Sequence, residues 1–272
     1  MIEVGLTAIA DHPSLAANGK TSTLADLAQY FPIVEIDSSF YGCPSVHTVQ
    51  QWQQQVPRQM RFIVKATQLM TRHKETEDLL GQFGALHEAL TPLAESNQLA
   101  AVLFQFPPYF GVTAENVRYL RFVRAQYPNW PIAVEFRHDG WYLPQYRKQT
   151  LDLLTSLAMS HVVVSEPQTP AGSVPLVPVA TNSELTIMRL HGLNAAGWQS
   201  RGPGSFSART NYRYTKEELR KLATVAQGLN SQHVAVIFNN NGGHDAADNA
   251  LAFIALLNLH WPHLAPRQLD LF

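Results

Sequence analysis

Eight short apolar runs, recurring between segments of helical character, constrain this chain more than any single motif. They cover residues 2–6, 33–37, 62–66, 101–106, 132–136, 162–165, 186–191 and 234–239. Amphipathic segments separate most of them, at 23–30, 46–56, 75–96, 114–125, 145–158 and 216–229, with 246–259 after the last. Within 75–96, Leu79, Phe83, Leu86, Leu90 and Leu93 recur at three- and four-residue spacing, the stripe of a helix facing a core. Thr215-Lys216-Glu217-Glu218 reads as a capping box at a helix start. Strands alternating with helices call for a parallel sheet with helices outside it. Eight such units in 272 residues fit a closed (β/α)8 TIM barrel of the α/β class better than an open sheet. The expected division is one barrel domain over 1–265 and a C-terminal tail over 266–272. Two stretches break the regularity: 167–178, with four prolines, and 192–214, a long loop after strand seven rich in Gly, Ser and Arg. Loops of that length usually serve as lids or binding loops.

Charge narrows the partners. Twenty Lys plus Arg stand against 21 Asp plus Glu, so no global field draws the chain to nucleic acid or anionic membrane. The single cysteine, Cys43, excludes an internal disulfide and a cysteine-only metal site. Met1-Ile2-Glu3 lacks the basic start and apolar run of a signal peptide, and no later stretch is long and apolar enough to span a bilayer. A cytoplasmic location without membrane contact is the expectation.

In a TIM barrel the chemistry sits at the carboxyl ends of the strands. Here those ends are polar. Strand two delivers Glu35 and Asp37, followed by Tyr41; strand three delivers Lys65, with His73 on the following loop; strand four delivers Gln105. Strand five ends in Glu135, Arg137 and His138 ahead of Trp141, strand seven in Arg189 and His191, strand eight in Asn239 and Asn240. Strand alternation puts Glu35 with Asp37, Glu135 with Arg137 and Arg189 with His191. The candidate catalytic residues are Glu35, Lys65, Glu135, His138 and His191; the two histidines titrate near neutrality and suit proton transfer. The candidate binding residues are Tyr41, His73, Gln105, Arg137, Trp141, Arg189, Asn239 and Asn240, with Tyr41, Trp141 and Tyr109 as stacking faces.

Asn241-Gly242-Gly243 before the last helix, together with Arg189, points to a phosphate-type ligand, since small residues expose backbone amides at a helix start. Glu35, Glu135, His138 and His191 are also metal-ligand types. They lack tight spacing and lie among Lys65, Arg137 and Arg189, so no cofactor is expected and a divalent metal stays an alternative.

The ordered series VEIDSSFYGCP (34–44), FIVKAT (62–67), LFQFPPYF (103–110), AVEFRHDGW (133–141), IMRLHG (187–192), IFNNNGG (237–243) and DNALAF (248–253) resembles the YecE-like family of uncharacterised proteins along nearly the whole chain. The resemblance implies a TIM barrel and carries no established activity. It extends to Glu35, Ser39, Tyr41, Lys65, His73, Gln105, Pro107, Glu135, Arg137, His138, Trp141, Arg189, His191, Gly192, Asn239, Asn240, Asn249 and Ala250. The family pattern often has Asn where this chain has Asp37, and Thr where it has Ser39.

The tail ends in Gln268-Leu269-Asp270-Leu271-Phe272, which resembles the short peptide by which bacterial polymerases and repair proteins engage the DNA sliding clamp. The alternative is a tail that closes the bottom of the barrel. Three functions follow. The leading one is an enzyme, hydrolase or isomerase, acting by acid/base chemistry on a small polar or phosphorylated substrate. The second is a metal-assisted hydrolase linked to nucleic-acid repair, with Arg201, Arg209 and Arg213 offering a basic track. The third is a non-enzymatic ligand-binding accessory recruited to the clamp.

Overall fold

A computed structural model describes the chain apart from residues 18, 170, 171, 201, 203 and 267–272. The clamp-like segment 268–272 lies outside the described residues. Eight strands, β1 (Ile2–Leu6), β2 (Ile33–Ile36), β3 (Arg61–Lys65), β4 (Leu99–Gln105), β5 (Ile132–Glu135), β6 (Met159–Ser165), β7 (Leu185–Leu190) and β8 (His233–Phe238), pair in parallel in sequence order. β8 closes on β1, with Ile2 beside Val234 and Leu6 beside Phe238. The expected TIM barrel is the observed one.

The outer layer contains α1 (Leu24–Leu27), α2 (Val46–Gln54), α3 (Leu79–Glu95), α4 (Ala114–Gln126), α5 (Pro144–Ser156), α6 (Ala195–Gln199), α7 (Ser205–Thr210), α8 (Lys216–Gly228) and α9 (Ala246–Leu257). The apolar stripe on α3 packs inward as its spacing demands, with Phe83, Leu86, Leu90 and Leu93 buried. The Thr215–Glu218 capping box forms, and a second one joins Thr23 and Asp26 at the start of α1. Helix α1 is shorter than the 23–30 pattern suggests: residues 28–30 continue as turns, with the Gln29 and Tyr30 amides donating to carbonyls three residues back. Helix α3 begins at Leu79 rather than near residue 75, where Asp78 accepts from the Gly81 amide. The 167–178 stretch is irregular, whereas the insertion after β7 is partly helical, carrying α6 and α7.

Gly5 faces Ile33 across the β1–β2 pair, and a Cβ there would lie 2.4 Å from the Ile33 carbonyl oxygen. Only glycine permits that approach. At the lower end Arg61 pairs with Glu3, which His233 also approaches at 3.2 Å. Between barrel and helices lies an aromatic stack in which Phe106 meets Phe110 at 4.0 Å and Phe136 meets Trp141 at 4.2 Å. Among the described residues no helix is long and apolar enough to cross a membrane.

The register also turns His161 of β6 outward beside Val134, into the layer under the helices. There Tyr142 Oη lies 3.0 Å from its Nε2 and Val179 O lies 3.2 Å from its Nδ1. Burial pulls its pKa down to about 4, against the Val179 bond and the charge of Glu135. A histidine depressed in the folded state contributes stability that is complete above its unfolded value near 6.5. That contribution is lost as pH falls from there toward 4. His161→Gln removes it. Chemical denaturation across pH 7 to 4 is therefore expected to show the parent losing about 3 kcal/mol relative to the variant. A difference that stays constant with pH would contradict this assignment.

Candidate active site

Strand parity assembles the mouth of the barrel. Pairing sets Gln105 beside Glu135, and Arg189 between Val164 and Ile237. On β6 the positions in register with inward neighbours are the even ones, since Val162 pairs with Ile187 and Val164 with Arg189. Continuing that alternation carries Glu166 to the interior, beside Arg137.

Arg189, 1% exposed, is the hub. Its Nε and Nη2 donate to Glu35 Oε2 (3.0 Å) and Oε1 (2.5 Å), its Nη1 donates to Glu135 Oε2 (2.5 Å), and Asp37 lies 4.0 Å away. Glu135 Oε1 also accepts from Gln105 Nε2 (2.7 Å) and Arg137 Nη1 (3.0 Å). Arg137 Nη1 lies 3.1 Å from Glu166 Oε2, while Glu166 Oε1 accepts from the Val174 amide at 2.6 Å. Lys65 lies 3.3 Å from Asp37 and 4.7 Å over the Phe40 ring. Four carboxylates thus meet three cations in one network. Full ionisation would leave one uncompensated buried negative charge, which a low-dielectric site resists. Burial accordingly pushes Glu35 up, to about 8, and Glu166 up, to about 7, against the pull of Arg189 and Arg137 respectively. Despite its burial, Glu135 is held well below the usual carboxylate range by Arg189, its bond with His191 and Arg137.

His191 joins the network from β7. Thr7 Oγ1 donates to Asn239 Oδ1 (2.7 Å), which turns Asn239 Nδ2 toward His191 Nδ1 (2.8 Å). The imidazole proton then sits on Nε2, 3.5 Å from Glu135 Oε1; Arg137 Nη1, itself a donor 3.2 Å away, is a close neighbour of that N–H and not its hydrogen-bond partner. Burial lowers this ring to about 4, against the hydrogen bond and charge of Glu135, so it is neutral at pH 7. Above the network is a cavity of about 430 Å³. Its wall includes Asp11, Asp37, Phe40, Tyr41, Lys65, His73, Gln105, Arg137, Arg189, His191 and Asn239, with Trp198, Arg209, Thr210 and Asn241 on the side of the insertion and β8. The Arg137 guanidinium lies 4.9 Å from the Trp198 ring. Among the described residues, its Nε and Nη2 carry no protein hydrogen bond, which leaves one edge of the fork for a ligand.

Comparison with known proteins fits this architecture. The UPF0759 protein YunF of Bacillus subtilis is 42% identical over 283 residues, with all of both chains covered. Residues 4–269 match the family described as a protein of unknown function, DUF72. The chain belongs to the DUF72 family. A DUF72 protein of Enterococcus faecalis V583 has a solved structure that superposes with a TM-score of 0.93 at 39% identity, covering 99% of this chain and 100% of that one. A DUF72 protein of Thermotoga maritima superposes at 0.78 with 28% identity, covering 95% and 100%. Both the TIM barrel and the membership that the YecE-like motifs imply hold.

Within this DUF72 barrel, several sequence-named residues sit away from the cavity. His138 follows Arg137 and therefore faces the other way. Its Nδ1 accepts from the Gly140 amide (2.9 Å) and caps the 3-10 turn over Asp139–Tyr142, and it is not among the residues of the cavity wall. Trp141, expected as a stacking face, is 1% exposed, lies on Phe136 and donates its indole N–H to Phe110 O (2.7 Å). Asn240 also faces outward and donates to Tyr212 O (2.8 Å) and Asn249 Oδ1 (2.9 Å), tying β8 to α9. Glu35 and Glu135 are fully buried beneath the cavity wall and engaged by Arg189.

The glycine reading changes too. A Cβ on Gly242 would lie 2.1 Å from Ser207 O, so this glycine admits α7 of the insertion against β8 and offers no open phosphate cradle. The four residues named as metal ligands do not converge: Arg189 holds both oxygens of Glu35 and one of Glu135, and His138 faces away. Among the described residues no group of three or more His, Cys, Asp or Glu has a metal-holding arrangement. Arg213, expected in a basic track, pairs with Asp245 (2.6 Å) and Asp248 (3.1 Å).

Tyr109 lies outside the cavity wall and donates its hydroxyl to the Arg72 and His73 carbonyls. Sequence reasoning missed Asp11 and Trp198, took Asn241 only as part of the glycine turn, and left Glu166, at the end of strand six, outside the candidate set. Only Glu166 carried a usable signal, the alternation along β6.

Proposed function

We propose that the mouth of this barrel is the active site of an enzyme that acts by acid/base chemistry on a small anionic, polar substrate. The observation that carries the reading is Arg137: its Nη1 is held by Glu135 and Glu166, its Nε and Nη2 carry no protein hydrogen bond among the described residues, and the residue lines the cavity. A fork pre-oriented in this way recognises a phosphate or carboxylate at little entropic cost. Lys65 stands on the same wall, its charge shared with Asp37 at 3.3 Å. A volume near 430 Å³ suits a molecule of sugar-phosphate size. Proton movement falls to His191 on the cavity wall: Glu135 supports its Nε2 side, and a substrate proton reaches Nδ1 once the Asn239 amide gives up that position. Glu35 and Glu166, with raised pKa values, hold protons close by.

The reaction classes that fit are isomerisation through proton abstraction and hydrolysis of an ester. Incubation with a panel of phosphorylated sugars and hydroxy acids in D2O, followed by proton NMR, separates them. Deuterium incorporation or phosphate release is expected from at least one compound, reduced about 10²-fold or more in His191→Asn. Neither event across the panel, or unchanged turnover in the variant, would overturn the reading.

A further inference from the structure

His73 is held at four points by the loop that follows β3. Its amide donates to Gln68 O (2.9 Å), and its carbonyl accepts from Tyr109 Oη (3.1 Å). Its ring stands edge-on to Phe40 at 4.9 Å, and its Nδ1 lies 2.9 Å from Thr71 Oγ1. Arg72, just before it, adopts a left-handed φ of 61°, a conformation costly for a residue with a side chain. A loop this constrained fixes the ring's position.

The same contacts fix its proton. Thr71 has one hydroxyl hydrogen, and that hydrogen is directed at Thr67 O, 3.0 Å away. Toward His73 the hydroxyl oxygen is therefore an acceptor, and Nδ1 carries the imidazole hydrogen. A neutral imidazole has a single N–H, so Nε2 keeps its lone pair. Burial and the charge of Lys65 lower the ring to about 4 and keep it neutral at pH 7. Among the described residues nothing hydrogen-bonds to Nε2, and the ring lines the cavity with Lys65 and Arg137.

We infer that His73 Nε2 is the acceptor for a hydrogen-bond donor on the substrate, and that Thr71 is the positioning residue that sets this tautomer. The substrate class this selects is an anion carrying a hydroxyl or N–H close to its charged group. The charge meets Arg137 and Lys65, and the donor meets His73. This rests on the anion-binding reading above and narrows it.

The test has two arms. In the first, two-bond proton–nitrogen correlation of the imidazoles at pH 7 reports the tautomer, with the His73 signals assigned by their absence in His73→Gln. The parent and Thr71→Ser are expected to have hydrogen on Nδ1 and a bare Nε2, whereas Thr71→Val gains the Nε2–H form. In the second, calorimetric titration compares sulfate, which accepts only, with glycerol 3-phosphate, which also donates. His73→Phe is expected to weaken glycerol 3-phosphate about fivefold to tenfold and to leave sulfate within about twofold.

An Nε2–H tautomer in the parent, an unchanged tautomer in folded Thr71→Val, or equal losses for the two anions would overturn the inference. If Thr71→Val does not fold, the parent spectrum and the His73→Phe titrations decide it. Failure of the parent to bind either anion would overturn the anion-binding reading and the substrate class with it, while the spectrum still decides the tautomer.

Discussion

Arg189→Met is expected to destabilise the protein by about 3–5 kcal/mol, the range for breaking a buried ion pair from one side. The residue is 1% exposed and binds both oxygens of Glu35 and one of Glu135, with Asp37 at 4.0 Å. Methionine fills much of the volume and removes the charge. Glu135 then has only Arg137 as a nearby cation, and Glu35, already raised to about 8, loses both of its guanidinium hydrogen bonds. For a chain of this size the loss corresponds to roughly 10 °C in melting temperature. Adding Glu35→Gln and Glu135→Gln to Arg189→Met is expected to recover part of the loss, because neutral amides leave no uncompensated charge behind. Thermal melts of the three proteins at pH 7 check this. A single variant that melts within a degree of the parent would show that the cluster does not hold the barrel mouth together.

Arg137→Gln is expected to separate binding from folding. Glutamine can still reach Glu135 or Glu166 with an amide, and Glu166, already raised to about 7, can neutralise itself, so melting should shift by only a few degrees. The guanidinium edge that faces the cavity is lost altogether. Two charge-assisted hydrogen bonds to an anion are together worth about 3–6 kcal/mol, so affinity for a phosphorylated ligand should fall by about a hundredfold or more. Arg137→Lys should fall between, since it keeps the charge and loses the fork. Ligand-induced rises in melting temperature over a concentration series report the effect, because a ligand stabilises the folded state in proportion to how far it exceeds its dissociation constant. A shift as large in Arg137→Gln as in the parent would place the anion elsewhere.

The barrel was legible because its signals are local and repeated. Eight apolar runs separated by helical stripes and helix caps such as Thr215–Glu218 are all written within a few residues. Much of the mouth was legible for a related reason: alternation along a strand is local, so Glu35 with Asp37 and Glu135 with Arg137 follow once one inward residue is known. That rule also spoke against His138 and Asn240, each one residue out of phase with an inward neighbour. Their polarity drew attention, yet it serves a 3-10 cap in one case and a bond to α9 in the other. Glu166 needed the phase of β6, which Val162, Val163 and Val164 conceal by being apolar on both faces. Trp198 and Arg209 reach the cavity from the insertion after β7. Their placement depends on α7 packing against Gly242, a contact distant in sequence that no periodicity foretells.

The central claim is that Arg137 presents its outward edge to an anionic substrate in the barrel mouth. The most direct measurement follows the arginine Nε–H resonances of the parent as glycerol 3-phosphate is added, with the Arg137 signal assigned by its absence in Arg137→Gln. The account predicts a saturable shift of the Arg137 Nε–H, accompanied by smaller shifts for the Lys65 ammonium group. Saturation that leaves Arg137 unmoved while exposed arginines such as Arg213 respond would contradict it.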